Sequence, residues 1–285
     1  MWRKTMTAAV GLLVSLASSG CIIVIADVDD WEGRSRAKVT TSEERTFETT
    51  GVGGVDVETH NGSVSFDGQS GDGAGQVTVT KVARGSTQDE ADAAMNAIEV
   101  FVEPKGDTVQ LGWRWKTLKK RNWSADVSFD IKAPGRMNVD VETHNGEIKV
   151  AGVTGDVDIE THNGEINVNT SGKALEAETH NGEINAVFAG TSVELSSHNG
   201  EVTADLSRCA EVTGSVTSHN GAVQVSVGKE TSASLEARTN NGGIDCEAPL
   251  TDMKKSKRSL DGKLGSGGGK LEIETHNGAI AIKGS

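Results

Sequence analysis

The sequence predicts an all-β protein, a single-stranded β-solenoid (β-helix) of right hand with 18–21-residue coils and one short N-terminal capping helix. Three observations predict it. The first is a recurring phrase, Glu-Thr-His-Asn-Gly, found intact at 58–62, 142–146, 160–164, 178–182 and 274–278, and in degenerate form at 196–200, 217–221 and 238–242. From the second copy onward the spacing is 18, 18, 18, 21 and 21 residues, then 36. The second is strict alternation around each copy. Val139, Val141 and Thr143 share one face, with Asp140, Glu142 and His144 on the other; the pattern resumes at Ile148 and Val150. The third is composition, with 35 Gly, no Tyr and only 4% aromatics, which suits turns and strands better than packed helices.

Asn-Gly also favours a two-residue hairpin turn, so an antiparallel meander competes with the solenoid. The meander gives no reason for identical residues at equivalent positions in every copy. In a parallel stack each position lies on its own equivalent, and Asn bonds to Asn along the axis. The right hand follows from the preference for right-handed crossovers. The structural corners are then Asn61-Gly62, Asn145-Gly146, Asn163-Gly164, Asn181-Gly182, Asn199-Gly200, Asn220-Gly221, Asn241-Gly242 and Asn277-Gly278.

In chain order, residues 1–20 read as an export signal. Arg3 and Lys4 form its charged start, Thr7 to Ala17 its short apolar run, and Ser18, Ser19 and Gly20 lead to Cys21. This resembles a bacterial lipobox, in which the cysteine is lipidated, although Ser18 stands where leucine is preferred. The expectation is a cell-envelope protein, lipid-anchored to a membrane through Cys21 and otherwise outside the cytoplasm. Residues 21–44 are assigned to a tether and 45–138 to an N-terminal coil and cap region. Within it, Ser86 and Thr87 before Asp89 and Glu90 open a capping-box helix over 87–98. Alternating runs predict strands at 77–82, 109–115 and 127–131. Residues 139–285 form the repeat solenoid, read as seven coils with one hidden in the 36-residue gap and interrupted by a loop at 254–269.

The run Val127 to Pro134, followed by Val139 to Gly146 and by Val153-Thr-Gly-Asp-Val157 before the next Asn-Gly, resembles the bacterial putative-adhesin proteins of unknown function. That family comprises small lipoproteins or envelope proteins built as β-solenoids. The resemblance spans residues 45–285 and implies a fold and a cell-surface setting. It carries no catalytic residues to this chain.

The chemistry must therefore come from the repeat. All 7 histidines lie in it. By alternation His144, His162, His180, His198 and His219 point outward beside Glu142, Glu160 and Glu178, with Asp140, Asp158, Glu176 and Glu194 as a further line. Stacked imidazoles and carboxylates suit a divalent metal such as Zn²⁺, Ni²⁺ or Cu²⁺; a duplicated corner that packs His on His is the alternative. Histidine protonation would also reduce the net charge of -13 as pH falls. Trp113 and Trp115 share a strand face and either plug the solenoid end or stack on sugar rings. The basic islands 116–121 and 254–258 read as solvated loops. Cys246 takes an inward position equivalent to Val150, with Cys209 too far away to bridge it.

The acidic balance excludes a nucleic-acid partner. No Gly-x-Ser-x-Gly or His-Glu-x-x-His occurs, and the acids recur uniformly with no single pair set apart. The reading is a non-enzymatic, surface-anchored solenoid with no required cofactor, binding a glycan or protein ligand at the cell surface through its Glu/His face. The alternatives are a structural spacer, a divalent-metal-binding surface protein and a polysaccharide-acting β-helix enzyme.

Overall fold

The computed structural model describes residues 25–31 and 34–284. The described residues open with β1 (Ile25–Trp31), β2 (Arg34–Phe47), β3 (Gly54–Asn61), β4 (Val64–Gln69) and β5 (Gly75–Gly85). Helix α1 (Gln88–Ala97) follows, then β6 (Ile98–Lys105), β7 (Thr108–Trp115) and β8 (Ser124–Pro134). Here antiparallel pairing dominates. β2 lies along β5, β5 along β8, and β6 along β7. Residues 34–44, expected within a tether, instead belong to β2, whose Ala37, Val39 and Phe47 enter the core. Cys21 and the export signal lie outside the described residues.

The helix forms where the capping signal places it. Thr87 Oγ1 accepts the Glu90 N–H at 3.3 Å, and the Glu90 carboxylate accepts the Ser86 N–H at 2.9 Å. Its Ala91, Ala94 and Met95 are buried against the sheet, so α1 closes this end of the core, which stacked strands would otherwise leave open.

Next come the paired strands of successive coils: β9 (Asn138–Asn145) and β10 (Ile148–Val153), β11 (Val157–Asn163) and β12 (Ile166–Thr170), and β13 (Ala174–Asn181) and β14 (Ile184–Phe188). β15 (Ser192–Asn199) and β16 (Val202–Leu206), then β17 (Thr213–Asn220) and β18 (Val223–Val227), continue the series. Each Asn-Gly is a corner between the two members of a pair. The first member joins one 12-stranded sheet and the second joins another. Within the stack the pairing is parallel and residue for residue: Val157 lies between Val139 and Leu175, and Asn163 between Asn145 and Asn181. The inward line Ile148, Ile166, Ile184 and Val202 is fully buried, and the two inner faces form one continuous core. The parallel pairing excludes the antiparallel meander for these coils.

The C-terminal end departs from chain order. β19 (Ala233–Asn241), β20 (Ile244–Cys246), β21 (Thr251–Lys255), β22 (Ser259–Leu264), β23 (Gly269–Asn277) and β24 (Ile280–Gly284) complete the chain. β23 pairs with β17 on one side and β19 on the other, while β24 lies between β18 and β20. The last copy of the repeat is thus wedged between the two copies that precede it. No hidden coil occupies the 36-residue gap. Its residues instead form the hairpin β21–β22, antiparallel on the outer edge of β19. At one corner the preceding copies still touch directly, with the Ser232 N–H donating to Ala210 O and Thr231 Oγ1 to Cys209 O. The strands splay only beyond that hinge. Cys246 holds the inward position opposite Ile282, half-buried because β20 ends the sheet, and both Cys209 and Cys246 are free thiols.

Candidate functional site

Each letter of the Thr-His-Asn-Gly phrase has a distinct physical task. The glycines pack without clearance: a Cβ on Gly164 would lie 1.9 Å from Gly146 O, and one on Gly182 1.8 Å from Gly164 O. The asparagines form an unbroken amide ladder. Nδ2 of each donates to Oδ1 of its neighbour at 2.7–2.8 Å, from Asn145 onto Asn61 through to Asn277 onto Asn220 and Asn241 onto Asn277. The buried threonine or serine turns inward and donates to the neighbouring coil's corner carbonyl. Thr179 reaches Gly164 O at 3.2 Å, Ser218 reaches Gly200 O at 2.8 Å and Thr239 reaches Gly278 O at 2.9 Å. Sequence reasoning placed this residue on the apolar face without seeing why a hydroxyl stands there. The signal was available, because every copy offers Thr or Ser and never Val.

The histidines point outward and stack. Successive centroids from His60 through His144, His162, His180, His198 and His219 to His276 are 4.7–4.9 Å apart, with ring planes within 6° of parallel. The line ends at Asn240, whose amide lies 2.6 Å from His276 Nδ1. Beside it runs the line Glu58, Glu142, Glu160 and Glu178, which passes into Ser196 and Thr217 before Glu274 and Arg238. A third line comprises Asp56, Asp140, Asp158, Glu176 and Glu194. These five carboxylates border a trough of about 420 Å³.

Charge accumulates there. Desolvation in the trough, then the charges of Asp158, Asp56 and Glu142, raise the Asp140 carboxyl above its ordinary value. The charge of Asp158 does most to raise Glu176, followed by desolvation and by Glu194 and Glu178. Among the described residues, Asp140, Asp158, Glu176, Glu194, Glu142, Glu160 and Glu178 have no ion-pair partner.

The expected metal ligands are therefore brought to one face, but as parallel stripes. Among the described residues no three His, Cys, Asp or Glu side chains converge to hold an ion. Imidazole nitrogens bind zinc at about 2.0–2.1 Å along the ring plane. Rings stacked face to face direct those lone pairs side by side, so in this arrangement neighbouring rings do not converge on one point. Trp113 and Trp115 pack half-buried against the N-terminal end of the core.

Parallel coils, closed corners and uninterrupted side-chain ladders define a β-solenoid whose repeated face is a charged wall. The model of the Toastrack DUF4097 family matches residues 46–215, and the chain belongs to that family. The adhesin resemblance drawn from residues 127–157 agrees with it. Solved structures that the chain resembles include a putative adhesin from Bacteroides fragilis, at 14% identity over 85% of this chain and 96% of that one, with a TM-score of 0.45. Another from Parabacteroides merdae has 9% identity over 85% and 95%, with a TM-score of 0.46. A putative cell adhesion protein from Clostridium sporogenes has 15% identity over 86% and 100%, with a TM-score of 0.34. No curated protein matches the sequence.

Proposed function

We propose that the protein is a non-enzymatic, surface-anchored, right-handed β-solenoid that binds envelope or extracellular material through its Glu/His wall. Lipidation of Cys21 would hold it to a membrane, with the solenoid outside the cytoplasm. One observation carries the reading: a stripe of outward carboxylates on consecutive coils without a cationic partner among the described residues, alongside an unbroken histidine stack. Like charges one strand spacing apart repel by about 1 kcal/mol in water. A partner bearing ammonium or hydroxyl groups at several points relieves that repulsion, and a repeated face multiplies weak contacts into avidity.

The test is retention of the full-length protein on isolated bacterial envelope material. Glu142, Glu160 and Glu178 are exchanged together for Gln, and folding is checked by circular dichroism. Retention falls at least about tenfold if the wall is the binding surface. Equal retention would leave the structural spacer as the better reading. Turnover of an envelope polysaccharide that disappears in the variant would make the protein an enzyme.

A further inference from the structure

At the N-terminal end of the wall the repetition stops. β7 pairs with β3 only from Gly54 to Val57, opposite Thr108 to Leu111, and then follows β6 away. Gly112 follows, and a Cβ there would lie 2.5 Å from Phe101 Cζ, so the ring of Phe101 packs directly over it. β3 continues through Glu58 and His60 without a strand on that side, and a cavity of about 520 Å³ opens beside it. Its floor is aromatic. Trp113 and Trp115 meet edge to face at 5.5 Å and 77°, and Phe101 adds a third ring. Trp113 is fixed, its Nε1 donating to Thr59 Oγ1 at 3.2 Å.

The rim is polar and of both signs: Glu58, His60, Glu142 and His144 on the wall side, Arg114 and Lys119 opposite. Arg114 is held in place by Glu99 at 2.6 Å and lies 5.5 Å from the Phe101 centroid. Glu58 and Glu142 have no ion-pair partner among the described residues. Next to the floor, the buried Nε1 of Trp123 has no acceptor among the described residues.

We infer that this cleft is a saccharide-binding site, with a sugar ring seated in the corner that Trp113 and Trp115 make and its hydroxyls bonded to Glu58 and Glu142. The chemistry selects this occupant. A sugar presents an apolar C–H face to an aromatic surface and a rim of groups that both donate and accept, which suits carboxylates and cations around one cleft. An organic cation also favours tryptophan faces, but Arg114 and Lys119 would oppose its charge. The volume falls in the range of small-ligand sites. The inference deepens the wall reading by naming a ligand class where the wall ends, and it shares Glu142 and His144 with it.

The full-length protein is titrated with cellobiose and N,N′-diacetylchitobiose, and separately with choline chloride, by calorimetry and tryptophan fluorescence. Saturable binding of at least one disaccharide is expected, weakened about tenfold or more in Trp115→Leu and in Glu58→Gln and unchanged in Asp245→Asn, an exposed position on β20 at the other end of the stack. Glu58 is exposed, so its variant reports even if Trp115→Leu loses the fold. The inference is overturned by no saturable heat or fluorescence change with either sugar, by choline binding alone, or by equal loss in Asp245→Asn. Failure here with intact retention on envelope material removes the cleft and leaves the wall reading standing.

Discussion

The coils from β9 to β18 and the end built from β19 to β24 use the same corner, yet they assemble differently. In the first region each coil lies on its sequence neighbour. In the second, β23 and β24 are inserted between coils that precede them. The ladders do not register the change. Asn277 joins Asn220 to Asn241 with amide bonds of 2.7 and 2.8 Å, as close as those between sequence neighbours. Register is thus set by corner chemistry, while the choice of neighbour depends on how the connecting chain can travel. The 36 residues from Asn241 to Asn277 are long enough to form the β21–β22 hairpin and return.

The largest expected effect comes from removing the wedge. Deleting residues 269–285 takes Leu271, Ile273, Ile280 and Ile282 from the core, each buried to within about 1% exposure. At about 1.5–3 kcal/mol per side chain, the loss exceeds about 5 kcal/mol. Because each coil contacts only its neighbours, hydrogen exchange should accelerate in β19–β22 and remain slow in β9–β16. Retained protection in β19 would show that it closes directly onto β17.

Next come the corners. Gly164→Ala places a Cβ against the Gly146 backbone, which cannot yield without opening the stack, and a loss of at least about 3 kcal/mol in urea denaturation is expected. Gly243→Ala, where nothing lies within 4 Å, should change stability by less than about 0.5 kcal/mol. Equal losses would mean that the corner glycines serve chain flexibility instead of close approach.

The same comparison explains what could be read in the sequence. Corners, alternation and the residue types that form each ladder were evident because they repeat, and repetition displays the constraint. Helix 87–98 was evident for a local reason, the Thr87–Glu90 cap, and the structure places it at Gln88–Ala97. The wedge was hidden because identical corners make neighbours interchangeable: Asn220 accepts Asn277 or Asn241 with the same bond. Arg238 holds one hint, since it interrupts the glutamate line and finds Glu236 and Asp261 at the outer edge of the stack. The histidines and carboxylates were correctly assigned to one face, but alternation fixes only a side chain's direction. It does not reveal whether neighbouring rings converge or stack.

A smaller effect separates interior from terminal asparagines. Asn163 donates to Asn145 and accepts from Asn181, whereas Asn241 makes only the bond to Asn277 within the ladder. At about 1 kcal/mol per hydrogen bond, Asn163→Ala should cost about twice as much as Asn241→Ala. Equal costs would show that the ladder acts as one cooperative unit to its last member.

The smallest effect has the opposite sign, and only the in-order region should show it. Asp158 is the leading cause of the raised Glu176 carboxyl and the principal charged neighbour raising Asp140. A carboxyl raised on folding keeps its proton to higher pH in the native state, so stability falls as pH climbs from the ordinary carboxylate value to the raised one. At neutral pH the repulsion is fully present. Asp158→Asn should therefore stabilise the protein at pH 7 and low salt, by about 0.5 kcal/mol for an exposed stripe. The gain should shrink as salt screens the charges and vanish below about pH 3, where ordinary carboxyl groups are protonated. Glu272 is the control. Lys270 lowers its carboxyl, with an ion pair between the two, so Glu272→Gln should bring no gain at neutral pH. Urea denaturation of both variants at pH 7 and below pH 3 separates a wall that repels itself from an end that has neutralised its charge.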